Sequence, residues 1–554
     1  MGGEPAESGR IPERLARNLR ALAAVDAELA ERLTLPVRGS HVCRGADGVV
    51  RRQGVPLEVP AAELERMLET HVPDGETFVF GLGLGEPVEC QLASGPRARL
   101  IVWERDPWLV RLALGARDLS GAIRERRLVL RLGVDLLDEL PLDPDRVRIV
   151  HPVLRSVYDD EWQLLELGVG PRRVALGSGG PLCAGLAAAL RVEGFSVLPV
   201  DLGGWAREEI SRALARLDPE LVVSVGYLHG LAEFCQEQGR RLLCWEVETP
   251  TDRVAAPHVP TESTYLFSYR RAQLPVYQAL GFRHVEHLPI GADTQAYAPV
   301  SLSSAERLRY GVPIAVVPTR GASSAAAHRR RFLELFCGWH PKGEAALSEY
   351  ERVLDEILEA QCLDPKRHRI PELVLDRFGS FVRELRERGL RDDPIALLTE
   401  VANIAKLHSH LASLGRLGLH VWGEESWRAL EAHGVRWRSE VRSLRERRCI
   451  FHAAAINVEI AGIDPSDVPL RVFEVLACGG FLIAERTDDL EELFRPGVEL
   501  ESFTSLEELQ DKARYYLEHA ERARAIAARG LEAVRARHSL DARLRQMLDR
   551  LGRA

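Results

Sequence analysis

Three times along the chain a short apolar run ends in a glycine-bearing loop and passes into a helical stretch: "TFVFGLGLGEPVECQL", "RRVALGSGGPLCAGLAAAL" and "IAVVPTRGASS". The same alternation continues in "ARLIVWERDPWLVRLALG" and "PELVVSVGYLHGLAEFC". Strands separated by helices are joined by crossover connections, so they assemble into parallel sheets. The pattern predicts an α/β chain built from Rossmann-like units. A chain of 554 residues is too long for one core. We expect a helical segment and Rossmann-like domain over 1–168, a second domain over 169–300 and a third over 301–554. The third carries a helical insertion at about 325–414, rich in Glu, Arg and Leu, and a C-terminal helix pair from Ser505 onward. Near the start, "HVCRGADGVVRRQGVPLEV" reads as a small β-hairpin.

The net charge of −9 argues against a dedicated nucleic-acid binder, which needs a basic surface. None of the nine cysteines forms a Cys-x-x-Cys pair, so no zinc or redox motif is expected, and free thiols suit a reducing cytoplasm. The N-terminal stretch lacks the apolar core of a signal peptide. No apolar run reaches the ~20 residues that span a bilayer, which leaves peripheral membrane contact open. The expected location is cytoplasmic.

The first glycine loop, Gly81-Leu-Gly83-Leu-Gly85, lets backbone N–H groups approach a ligand, and the following strand ends in Glu104. An acid so placed can bind a ribose diol. The loop and acid resemble the class I methyltransferase pattern and the N-terminal region of Maf-type flagellin glycosyltransferases. The third loop, Thr319-Arg320-Gly321, combines backbone amides with a guanidinium, which suits a diphosphate. Further on, "DVPLRVFEVLACGGFLIAE" reads as a helix capped by Asp467, with Pro469 in its first turn and Gly479 and Gly480 at its end, followed by a buried strand. Arg471 and Glu474 share one face of that helix, which is also the spacing of a local ion pair.

The last 140 or so residues carry "LHVWGEESWRAL", "FHAAAINVEI" and "VPLRVFEVLACGGFLIAERTDDLEELFRPGVELESF" in order. They resemble the CgeB-type glycosyltransferase family of GT-B fold. The middle of the chain is similar to that family's N-terminal half through "LVVSVGYL", "CWEVETPTD", "YLFSYRR" and "HLPIGADTQAYAP", so the resemblance covers about 170–550. It implies two Rossmann-like domains facing across a cleft, plus the extra N-terminal Rossmann-like domain. The sugar nucleotide would bind mainly to the C-terminal domain and the acceptor to the N-terminal one. The last helix would cross back to the earlier domain.

On that reading Glu474 accepts the ribose hydroxyls and Arg471 faces the diphosphate. Asn457, at the end of a strand read over "IFHAAAIN", and Gly423, after "HVW", join Thr319, Arg320, Gly479 and Gly480 on the donor side. Glu248 and then His229 are the candidate bases for the acceptor hydroxyl, with Glu246 and Asp252 nearby in sequence. No metal and no cofactor beyond the nucleotide-sugar donor are expected, the product being a nucleoside diphosphate. Many retaining GT-B enzymes have a second glutamate where Ser466 stands, which leaves retention or inversion open. The expected function is glycosyl transfer to a hydroxyl of a protein such as flagellin, or of a surface glycan. The alternatives are a methyltransferase-like enzyme using S-adenosylmethionine at Gly81 to Glu104, and a non-catalytic GT-B scaffold.

Overall fold

A computed structural model describes residues 13–37, 42–44, 49–52, 55–69, 75–143, 146–180, 182–247, 256–259, 261–318, 321–340, 347–364, 367–388, 392–441, 443–464 and 468–553. The chain divides into two compact units, 1–243 and 244–554.

The first unit opens with helices Glu13–Ala23 and Ala27–Arg32. Where a hairpin was expected there are three antiparallel strands, β1 (Val42–Arg44), β2 (Val50–Arg52) and β3 (Val55–Pro56). Next come β4 (Glu76–Phe80), β5 (Arg99–Glu104), β6 (Leu128–Leu132) and β7 (Val147–Val150), all parallel in the order β6-β5-β4-β7. Their alternating apolar residues bury an aromatic cluster, with Phe80 stacked on Trp103 at 4.8 Å and edge-on to Trp162 at 5.1 Å.

The next strands are β8 (Arg173–Gly177), β9 (Ser196–Val200), β10 (Leu221–Val225), β11 (Arg241–Glu246), β12 (Thr264–Ser268) and β13 (His284–His287). Within the first unit β10, β8 and β9 are parallel neighbours in that order, and within the second unit β12 pairs in parallel with β13.

The second unit carries β14 (Ile314–Val316), β15 (Leu419–Trp422), β16 (Arg436–Arg438), β17 (Ile456–Glu459), β18 (Leu482–Glu485) and β19 (Glu501–Phe503). They are parallel in the order β16-β15-β14-β17-β18-β19, the doubly wound order of a dinucleotide-binding sheet. The order reverses between β14 and β17. Between β14 and β15 the expected insertion is four helices, Ala322–Trp339, Leu347–Cys362, Ile370–Glu387 and Pro394–Ser413. Phe332, Phe336 and Phe381 give it a core of its own.

Three local readings change. "IFHAAAIN" is not one strand: helix Leu444–Ala453 covers its first half and β17 begins at Ile456. Ser443 caps that helix through Glu446 N–H at 3.1 Å, and Cys449 and Ile450 are buried, so the apolar run is a packed helix face. The helix expected to start at Asp467 starts at Leu470, with Pro469 as its cap residue, and Asp467 lies outside the described residues. The C-terminal helix pair is three helices, Leu506–Glu518, Ala520–Arg537 and Leu540–Arg553.

The start of the last helix is hydrogen-bonded to an earlier part of the second unit. Leu540 N–H donates to the Ala292 carbonyl and Ala292 N–H to the His538 carbonyl, at 2.9 and 2.8 Å. A Cβ at Gly291 would stand 2.9 Å from the His538 carbonyl oxygen, so glycine is needed for this approach. Arg543, 3% exposed, donates to the Ile290 carbonyl at 3.3 Å and to His538 Nδ1 at 2.8 Å, while His538 Nε2 meets the Leu493 carbonyl at 3.1 Å. Burial first, and the Arg543 charge second, pull the His538 imidazole down to about 4. Between an ordinary histidine value of 6.5 and about 4 the unfolded chain binds a proton that the folded chain refuses, so stability falls as pH is lowered through that window. The melting temperature of the wild type is therefore expected to drop between pH 7 and pH 5. A His538→Gln variant, melted at the same two pH values, should show a smaller drop.

Candidate functional site

Helix Leu470–Ala477 starts beyond the C-terminal end of β17, next to the reversal of strand order, where open parallel sheets bind ligands. Every residue from Arg471 to Ala477 is buried, so the expected polar face is not a solvated one. Arg471 and Glu474 are 6% and 5% exposed and form an ion pair with each other. The Arg471 guanidinium also lies over the Phe451 ring at 5.3 Å.

The pair extends into a small network. Tyr297, from the segment after β13, places its hydroxyl against the Glu474 carboxylate, and Arg447 Nη1 donates to that hydroxyl at 2.9 Å. Burial, with the Glu474 charge beside it, pushes the Tyr297 phenol up to about 12. Arg447 stays above its usual range despite burial, through Tyr297 and Glu474. The buried Nε groups of Arg471 and Arg447 have no hydrogen-bond acceptor among the described residues. Arg448, beside them, donates to the Ala298 carbonyl at 3.1 Å. The last insertion helix fixes the approach to this site: Asn403 accepts from Ile463 N–H at 2.7 Å, and Lys406 binds the Ala461 and Gly462 carbonyls. Sequence reasoning passed over Tyr297 and Arg447. The signal available for Arg447 was the arginine-rich stretch "RERR" at the start of helix Leu444–Ala453.

Other expected donor residues hold the frame. Asn457 is buried inside β17, and its amide donates to the Phe451 and Phe481 carbonyls at 3.0 and 3.2 Å. A Cβ at Gly480 would stand 2.3 Å from the Phe451 carbonyl oxygen, and Gly479 has φ +71°. At Gly423 a Cβ would stand 2.9 Å from Trp427, and the Gly423 carbonyl accepts from the Trp437 indole at 3.1 Å. Thr319 and Arg320 lie outside the described residues. Their neighbour Gly321 sits against the Glu424 carboxylate, which accepts from Ser323 N–H and Oγ at 2.7 Å each.

At the C-terminal ends of β15 and β16 a pocket of about 450 Å³ is lined by Arg309, Trp422, Trp437, Arg438 and Ser439. It shares Arg309 and Ser439 with a pocket of about 390 Å³ that also touches Tyr310, Ser443 and Arg445. Flat indole rings beside guanidinium groups can hold an aromatic base and a phosphate.

Of the acceptor-side candidates, His229 is exposed on the loop after β10, and Glu248 and Asp252 lie outside the described residues. Glu246 is buried and committed: it accepts from Arg270 at 2.6 Å, from Tyr277 at 2.8 Å and from Ser268.

The N-terminal glycine loop does not present an open cofactor cradle. Glu104 is 1% exposed, and its oxygens accept from Leu82 N–H at 3.0 Å, Asp106 N–H at 3.1 Å and the Tyr158 hydroxyl. A Cβ at Gly83 would stand 2.3 Å from His151 Nε2. Gly81 packs on Leu154 and His151, and Gly85 on Arg117. These glycines accommodate protein atoms, and the acid expected to bind a ribose stitches its own loop. Among the described residues no group of three or more His, Cys, Asp or Glu side chains is arranged to hold a metal ion. No helix among them is long and apolar enough to cross a membrane.

A buried carboxylate and arginines therefore stand at the switch point of a doubly wound parallel sheet, the position at which open α/β sheets bind ligands. Residues 402–549, from the last insertion helix into the last helix, match a family model described as glycosyl transferase-like. Solved structures similar to the chain include Anabaena Alr3699/HepE in complex with UDP-glucose, at 12% identity over 69% of this chain and 100% of that one, with a TM-score of 0.38. A glycosyltransferase from Rickettsia africae ESF-5 is 11% identical over 68% of this chain and 97% of that one, with a TM-score of 0.39. The MAf glycosyltransferase of Magnetospirillum magneticum AMB-1 is 16% identical over 52% and 58%, with a TM-score of 0.21. At these scores the likenesses are distant. No curated protein sequence matches the chain.

Proposed function

We propose that the chain is a glycosyltransferase of the CgeB type, moving a sugar from a nucleoside diphosphate donor to a hydroxyl acceptor. The observation that carries this is the buried Arg471–Glu474 pair at the strand-order reversal, inside the stretch that matches the glycosyl transferase-like model. A carboxylate there accepts both ribose hydroxyls. The unpartnered Nε groups of Arg471 and Arg447 supply cationic donors for the diphosphate. Negative charge grows on that leaving group as the sugar departs, and donors already oriented in a water-poor site lower the barrier. The pocket beyond β15 and β16 is assigned to the base of the donor.

The acceptor hydroxyl, on a protein such as flagellin or on a surface glycan, loses its proton to Glu248 or His229. The N-terminal Rossmann-like unit serves recruitment of that acceptor and binds no S-adenosylmethionine. The test is a panel of nucleotide-sugars scored by nucleoside diphosphate release, with S-adenosylmethionine as a thermal-shift control. At least one donor is expected to be turned over, and S-adenosylmethionine is expected to leave the melting temperature unchanged. Stabilisation by S-adenosylmethionine alone, with no donor consumed, would reverse the assignment.

A further inference from the structure

Within the first unit, a pocket of about 450 Å³ opens at the C-terminal ends of β9 and β10. Its walls include Trp205, Phe234 and the partly exposed Leu228, with His229 and Arg207 among its polar members. Pro36 also lines it, although this residue comes from the helical segment far upstream in sequence.

That upstream segment is held firmly. Arg32 is 9% exposed and donates to Glu209 from Nε at 2.9 Å and from Nη2 at 2.6 Å, and to Asp135 at 2.6 Å. Arg216 adds a contact to Asp135 at 2.9 Å, and Arg212 pairs with Glu28. Arg111 donates to the Leu33 and Leu35 carbonyls. Glu209 belongs to helix Arg207–Leu217, whose first turn also lines the pocket. One buried charge network therefore fixes Pro36 and the pocket-lining helix to each other. Breaking such a network leaves uncompensated buried charge, so it holds a single geometry.

We infer that this pocket seats the apolar part of the hydroxyl acceptor, and that the N-terminal segment ending at Pro36 helps set what fits. The inference rests on the glycosyltransferase reading for the word acceptor, but the binding itself does not depend on it. The volume is in the range of small-ligand pockets, and the lining joins apolar and aromatic walls to a few polar groups, as such sites do. A hydroxyl borne on an apolar body would bury that body against Trp205, Leu228 and Phe234 and leave its polar end near His229.

The probe is n-octyl β-glucoside below its micelle concentration, against methyl β-glucoside, titrated calorimetrically onto the full chain. Octyl glucoside is expected to bind at least ~10-fold more tightly, because two buried methylenes already amount to about tenfold. Pro36 and Leu228 are exposed enough to take a charge without unfolding the chain. Leu228→Asp and Pro36→Asp should each weaken octyl glucoside binding at least ~5-fold with the melting temperature unchanged. Equal binding of the two glucosides, or octyl glucoside binding unmoved by Leu228→Asp, overturns the pocket. Loss with Leu228→Asp but not with Pro36→Asp overturns the role of the N-terminal segment. Donor turnover is scored in parallel. A chain that consumes donor but fails the glucoside test refutes the pocket alone, and one that passes it but consumes no donor refutes the transferase reading alone.

Discussion

Replacing Glu474 by alanine is expected to lower donor turnover by about 10²–10³-fold, the effect of losing two hydrogen bonds to a charged group in a water-poor site. The same change strands Arg471, which is 6% exposed and has Glu474 as its ion-pair partner. Breaking a buried pair from one side costs about 3–5 kcal/mol, so the melting temperature should fall as well. The two effects separate in Glu474→Gln, which keeps the shape and one acceptor oxygen but not the charge. If Glu474 binds the donor, Glu474→Gln raises the donor KM at a temperature where the variant is fully folded. If the pair is only structural, Glu474→Gln shifts the melting temperature and leaves KM alone. Tyr297→Phe provides an independent check, because it removes the hydroxyl between Glu474 and Arg447 and leaves the ion pair in place.

The second large effect is expected at Gly480. An alanine Cβ there meets the Phe451 carbonyl oxygen at 2.3 Å, Asn457 Nδ2 at 2.8 Å and Val475 at 3.1 Å. None of these is the free end of a flexible chain, since Asn457 is bonded to two backbone carbonyls. Gly480→Ala should lose about 3 kcal/mol, the upper part of the range for overpacking a core. Gly479→Ala is the comparison. Its φ of +71° is strained for alanine, but its nearest contact is Pro299 at 3.5 Å. It should lose only ~1–2 kcal/mol. Thermal melts of both variants beside the wild type check the order, and a smaller loss at Gly480 than at Gly479 would contradict the packing described.

The parallel α/β architecture was legible because strand–loop–helix alternation is a local pattern. Strand order was not, because nothing in "IAVV" or "LHVW" says which parallel neighbour each will take. The spacing of Arg471 and Glu474 put them on one face, but their burial depends on Tyr297 and on helices far along the chain. The Gly81 to Glu104 pattern misled for a related reason. An acid after a glycine loop looks the same whether it faces a ribose or, as here, its own loop N–H groups and Tyr158. The break between the helix end and β17 was missed because alanines extend an apolar run equally well in either state.

The most direct test is calorimetric titration of a nucleoside diphosphate panel onto the full wild-type chain and onto Glu474→Gln. The account predicts saturable binding of at least one diphosphate to the wild type, weakened ~10-fold or more in the variant, as expected when a charged hydrogen-bond acceptor is lost. Equal affinity in both proteins, or no diphosphate binding at all, would contradict it.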